Sequence, residues 1–250
     1  MSLRDLAVFL LLAVLVVATL RRPVFGVLGW VLFALLNPHR YAWGIAYSFP
    51  FSQVIALTTL AAVLFVKDHR QLKGGAPAAL LLVLLLWAIV NVPFGFNPPR
   101  AWEYVDRVFK ALLFVWLTLL LMHTRQHVMW LVGTIVVSLG LFGVKGGLFT
   151  LVTGGNFRVS GPIGSMIAGN NELAVALIIT IPLMYFIYQQ LDRPWAKRAV
   201  LLVICLSAMS VIGSYSRGAL LGIVGMSAVL WLRSQHKALL GLGVAALLFV

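Results

Sequence analysis

Five cations stand out by position: Arg40, Arg100, Arg158, Arg217 and Lys145. The arginines fall in or beside connections rich in Pro, Gly, Asn and aromatic residues, with few carboxylates near them. A guanidinium is a planar, permanently charged fork of donors, and that shape fits phosphate or diphosphate oxygens. Polar neighbours accompany them. Arg158 lies in the longest polar, glycine-rich interruption of the chain, 154–172 (GGNFRVSGPIGSMIAGNNE), which ends in Asn170, Asn171 and Glu172. Arg217 closes Ser214–Tyr215–Ser216 in the run SYSRG, and Lys145 sits in GVKGG toward the end of a long apolar run. Amides and hydroxyls both donate and accept, so Asn170, Asn171 and Ser216 suit sugar or phosphate oxygens. A plainer alternative stands beside each residue. A lone arginine or lysine can snorkel to lipid head groups. Asn followed by Glu can simply cap a helix and complement its dipole. Four arginines on one side of the chain favour a joint role in anion binding.

Other chemistries find little support. No acidic pair of the DxD type occurs on that side to hold a metal and a nucleotide diphosphate. The glycine runs lack the Gly-Lys-Ser/Thr ending of a phosphate-binding loop, and no pair of carboxylates is spaced for glycoside hydrolysis. The expectation is no metal and no cofactor. Of His39, His69, His123, His127 and His236, only His39 shares the side of the arginines. The single cysteine, Cys205, lies in an apolar run and is expected to be a buried core thiol. Lys110 lies within i,i+4 reach of Asp106 and near Glu103 and Arg107, a pattern of local ion pairing on one helix.

The elements that must position these residues are apolar helices. Hydrophobic residues make up 62% of the 250 and charged ones 10%; the mean hydropathy is +1.04. A soluble domain carries about a quarter charged residues. The apolar runs are continuous, not alternating, so helices rather than a barrel are expected. The fold class is all-α: a polytopic transmembrane helical bundle of about ten spans with no large soluble domain. The spans are expected at 6–20, 24–36, 51–66, 76–92, 108–122, 128–152, 173–189, 199–213, 219–232 and 238–250. No small-residue cleavage site follows the first run, so it reads as a retained span.

The net charge of +13 does not point to nucleic acid. Its Lys/Arg clusters alternate with the spans and fall on one side, as the positive-inside rule requires. That side is cytoplasmic for 21–22, 67–73, 123–125, 192–198 and 233–237. The outer connections are then 37–50, 93–106, 153–171 and 214–218, which hold the four arginines. Strict alternation puts Met1 outside, whereas a shallow hairpin of the first two segments would put it inside.

Taken in series, four stretches resemble a known family. They are RRPVFGVLGWVLFALLNPHR with FPFSQVIAL (21–57), FGFNPPRAWEYVDRVFK (94–110), GVKGGLFTLVTGGNFRVSGPIGSMIAGNNELAVAL (143–177) and GSYSRGALLG (213–222). The chain resembles the O-antigen ligase/polymerase superfamily, closest to the O-glycosylation ligases associated with exosortase systems. The resemblance implies an enzyme of the bacterial inner membrane working at its periplasmic face. It would move a glycan from undecaprenyl diphosphate to a lipid or protein acceptor, without metal, cofactor or nucleotide sugar. Arg217, matching the SRG arginine, and Arg158 would bind the diphosphate. Lys145, Arg100, Asn170, Asn171 and Ser216 would contribute to substrate binding. Membrane lipids are the other expected partners.

Family members run well beyond 250 residues. The resemblance therefore makes 1–190 the N-terminal transmembrane region and 191–250 the start of a ligase-like core, with the general-base histidine expected beyond Val250. A polymerase of the same superfamily is the first alternative. A transporter or flippase of lipid-linked glycan is the second, and it is disfavoured by the lack of an internal repeat.

Overall fold

The computed structural model describes residues 2–65 and 75–233. Among these residues the chain is all-helical, with nine α-helices and no strand. They are α1 (Leu3–Arg21), α2 (Val24–Leu36), α3 (Phe51–Phe65), α4 (Gly75–Asn91), α5 (Pro98–Leu121), α6 (Arg125–Val152), α7 (Asn170–Gln190), α8 (Pro194–Ile212) and α9 (Arg217–Arg233).

Where about ten spans are expected, five stretches are long and apolar enough to cross a membrane. These are Leu3–Arg21, Gly75–Phe94, Arg125–Val152, Asn170–Gln190 and Pro194–Ile212, and Val24–Leu36, Phe51–Phe65 and Arg217–Val229 are shorter apolar helices. The basic cluster 67–73 and the expected segment 238–250 lie outside the described residues. The largest difference in boundary is α5. It begins ten residues before its apolar part, because Asn97 accepts the Arg100 N–H at 3.2 Å and two prolines open the first turn. The expected pair Lys110–Asp106 forms on its exposed face. Exposed i,i+4 pairs of this kind contribute only ~0.3–0.5 kcal/mol.

The chain divides into two compact units: residues 1–8, 31–49 and 132–250, and residues 9–30 and 50–131. In the second unit Val27, Val63, Phe114, Leu117 and Leu121 form the core. Trp30 stacks on Phe114 with ring centroids 3.9 Å apart, and Phe25 stacks on Trp130 at 5.6 Å.

In the first unit α6 to α9 surround a core that includes Leu139, Phe142, Leu173, Leu177, Val211 and Ala219. Helices α6 and α8 meet along small residues. A Cβ on Gly140 would stand 3.3 Å from Val203, and one on Gly143 would meet Ser207. One on Gly147 would overlap the carbonyl of Leu206. In lipid the surroundings of a helix are as apolar as its interior, so close approach through small residues replaces a hydrophobic seam. Helix α8 shows the consequence: Ser207 and Ser210 are buried while Leu201 and Leu202 are exposed. Cys205 corrects the expectation of a core thiol, since it is exposed. It lies at i+3 and i+4 from those two leucines, on the apolar outer stripe.

The start of α1 carries a capping box. The Asp5 N–H donates to Ser2 Oγ at 3.2 Å, and the Ser2 N–H donates to the Asp5 carboxylate at 2.8 Å. The same carboxylate packs against Gly44, and Arg4 donates to the Tyr41 carbonyl at 3.3 Å. The N-terminal end of α1 and the connection that follows α2 therefore lie at one end of the unit.

Candidate functional site

Two connections and one helix build the site. The long glycine-rich connection between α6 and α7 is folded on itself and tied to the α8–α9 turn. The Gly161 N–H donates to the Ala168 carbonyl at 3.1 Å, and a Cβ on Gly161 would collide with the Ile167 carbonyl. Only glycine allows that approach. The Val159 N–H donates to the Gly213 carbonyl at 2.9 Å, the Asn170 amide to the Ser214 carbonyl at 2.9 Å, and the Tyr215 hydroxyl to the Gly155 carbonyl. Tyr215 holds φ at 53°, a conformation a bulky residue rarely adopts. The hydroxyl contact keeps it there.

The second connection follows α2, which ends where Asn37 turns left-handed (φ 49°) and its amide donates back to the Ala34 carbonyl at 2.8 Å. A 3-10 turn, Pro38–Tyr41, follows. It lays the Arg40 guanidinium against Gly164 of the first connection and 5.0 Å from the Tyr47 ring centroid. The Arg40 Nε is buried without a hydrogen-bond partner among the described residues.

Between these pieces lies a cavity of about 500 Å³. Tyr41, Lys145, Arg158, Ser160, Gly161 and Pro162 form its polar and loop walls. Phe142, Gly146, Phe149, Val159 and Leu173 supply the rest of the lining. The Lys145 ammonium stands 5.4 Å from the Tyr41 ring centroid, within cation–π range. Two cations and no carboxylate line the cavity. Neither Lys145 nor Arg158 has an anionic partner among the described residues, where Lys110–Asp106 is the ion pair present. The arrangement has the chemistry to bind an amphiphile with an anionic head.

His39 neighbours this wall. Burial, then the charge of Arg40, holds its imidazole below the usual histidine range, so it is neutral at pH 7. Burial raises the Tyr41 phenol, which stays protonated there. A histidine depressed in the folded state binds fewer protons than in the unfolded chain. Its contribution to stability is complete above the unfolded pKa of about 6.5 and is lost as pH falls below that value toward the folded one. His39→Gln is expected to flatten this part of the thermal-stability profile, measured between pH 7 and pH 5; an unchanged slope would contradict the assignment.

The structure brings Arg158 and Lys145 together in one lining. Arg217 opens α9, is exposed and lies outside that lining, although its turn is bonded to the same loop. Ser216 is buried at 4% exposure, and its hydroxyl accepts the Ala219 N–H at 3.2 Å, so it caps α9. Asn170 serves as the latch to Ser214, while Gly169 occupies the N-cap of α7. Asn171 is exposed beside it, and Arg100 belongs to the other compact unit. Tyr41 and Ser160 were not singled out in advance. Tyr41 directly follows Arg40 in an outer connection, and Ser160 falls within the loop of Arg158, which is the signal that was there to use.

A family of unknown function (DUF5935) matches residues 3–191. No curated protein and no solved structure matches the chain.

Proposed function

The chain belongs to the family DUF5935, and from its own motifs and cavity we propose that it is a membrane-embedded glycan transferase of the O-antigen ligase type. It takes its glycan from undecaprenyl diphosphate and passes it to a lipid or protein acceptor. The reaction is placed at the periplasmic face of a bacterial inner membrane, in a protein of about ten crossings.

The observation that carries this reading is the cavity whose lining holds Lys145 and Arg158 on a floor of Phe142, Phe149 and Leu173. The carrier has the matching chemistry, a diphosphate on a polyisoprenyl tail. Cations aimed at the diphosphate would stabilise it as the leaving group when the sugar–phosphate bond breaks, an effect typically worth ~3 kcal/mol per donor. Arg158 and Lys145 are assigned to the diphosphate. Arg217, exposed at the start of α9, is assigned to its far side or to the entering acceptor.

The test is transfer of a labelled glycan from its polyprenyl carrier in membranes, with the protein expressed from its native reading frame. Arg217→Ala is expected to abolish transfer while leaving membrane insertion unchanged. Full transfer by that variant would contradict the proposal. Release of the carrier on the opposite face without covalent transfer would favour the flippase instead.

A further inference from the structure

A second hollow lies at the other end of α1 from Asp5, within the second compact unit. It measures about 520 Å³ and is lined by Ala13, Val14, Val17, Ala18, Arg21, Arg22 and Phe25. The spacing explains its shape. Ala13, Val17 and Arg21 follow one another at i, i+4 and i+8, and Val14, Ala18 and Arg22 form the row beside them, so one helical face carries all six. The alanines leave room, and Phe25 closes the opposite wall with its ring fixed against Trp130. From Ala13 to Arg22 the face runs about 14 Å along the axis. An apolar trough thus ends at two guanidiniums, both exposed. Neither guanidinium has a hydrogen bond or ion pair among the described residues.

We infer that this trough binds an anionic phospholipid of the surrounding bilayer, with the phosphate on Arg21 and Arg22 and part of one acyl chain along Ala13, Val14 and Val17. Charge complementarity selects the occupant. Two exposed guanidiniums at the end of a helix long enough to span hydrocarbon lie at head-group depth. A phosphodiester accepts their forked donors bidentately. A zwitterionic head group offers the same phosphate with a compensating ammonium, so the site should discriminate. A soluble phosphate would use the arginines and leave the trough empty.

The experiment is lipid binding to the purified full chain in detergent, read by native mass spectrometry with phosphatidylglycerol and phosphatidylcholine as competing probes. Preferential retention of phosphatidylglycerol is expected, with affinity lowered about tenfold or more in Arg21→Gln/Arg22→Gln. Ala13→Trp, at an exposed position, should fill the trough and weaken binding while both charges remain. A photoactivatable phosphatidylglycerol should label residues 13–25. Equal binding of the two lipids, an unchanged affinity in the arginine variant, or labelling confined to other segments would each overturn the inference. Loss in the arginine variant with none in Ala13→Trp would also overturn it, since the head group alone would then be held. Inorganic phosphate that competes fully with the lipid would do the same.

Discussion

Arg158→Ala is expected to weaken binding of a polyprenyl diphosphate by about ten- to a hundredfold, because a hydrogen bond to a charged group is worth ~1.5–3 kcal/mol. Lys145→Ala should act in the same direction, and the double variant should lose more than either alone. The two cations line one cavity without a carboxylate, so neither deletion breaks an ion pair across it, although Lys145→Ala also gives up the contact with the Tyr41 ring. Both residues are exposed, and neither is paired with an anion among the described residues. Helix content and thermal midpoint should therefore stay near wild type. The measurement is a titration of the purified protein with undecaprenyl diphosphate, read by fluorescence anisotropy or thermophoresis. Ser160→Ala serves as a control in the same lining. An Arg158→Ala protein that binds with unaltered affinity would remove the cavity from the account.

Gly147→Leu is expected to prevent the native packing of the first unit altogether. The Cβ alone would overlap the carbonyl, carbonyl carbon and Cα of Leu206, all of them backbone atoms that no rotamer change can move. Ordinary overpacking costs ~1–3 kcal/mol because side chains can give way. Here two helix backbones must separate, which opens the contact of Leu139 and Phe142 with Ala208 and Val211. The variant should be degraded or aggregate in the membrane fraction, which size-exclusion chromatography in detergent would show. Gly143→Ala tests the cause. Its Cβ would meet mainly the side chain of Ser207, so Gly143→Ala/Ser207→Gly should recover what Gly143→Ala loses. A monodisperse, helical Gly147→Leu protein would refute the close approach of α6 and α8.

The helices were legible because apolar runs in this chain leave few other structures open to them. The seam between α6 and α8 was visible only in outline. GVKGG drew notice for its lysine, while its glycines turn out to be the surface on which α8 lies. Period and hydropathy do not show which face of such a helix is inside, because lipid and core are equally apolar; Cys205 was misplaced for that reason. Part of the cavity lining was legible in the sequence. Arg158 and Lys145 line one cavity, and the loop 154–172 is bonded to the SYSRG turn as their shared side suggested. The roles of Ser216 and Asn170 were not legible. A hydroxyl or amide near a helix end serves a backbone group or a ligand equally well, and only the partner atoms decide. Tyr41 was missed because its contact with Lys145 joins residues about a hundred positions apart in the chain.

The central claim is that the Lys145–Arg158 cavity holds the head of a polyprenyl diphosphate. It is tested most directly by cross-linking the purified protein with a polyprenyl diphosphate that carries a photoactivatable group beside the diphosphate, followed by peptide mapping. The account predicts labelling of Tyr41, Phe149, Ser160 or Leu173, suppressed by Arg158→Ala and not competed by the uncharged polyprenol. Labels confined to other segments, or labelling of this cavity that the polyprenol removes equally well, would contradict it.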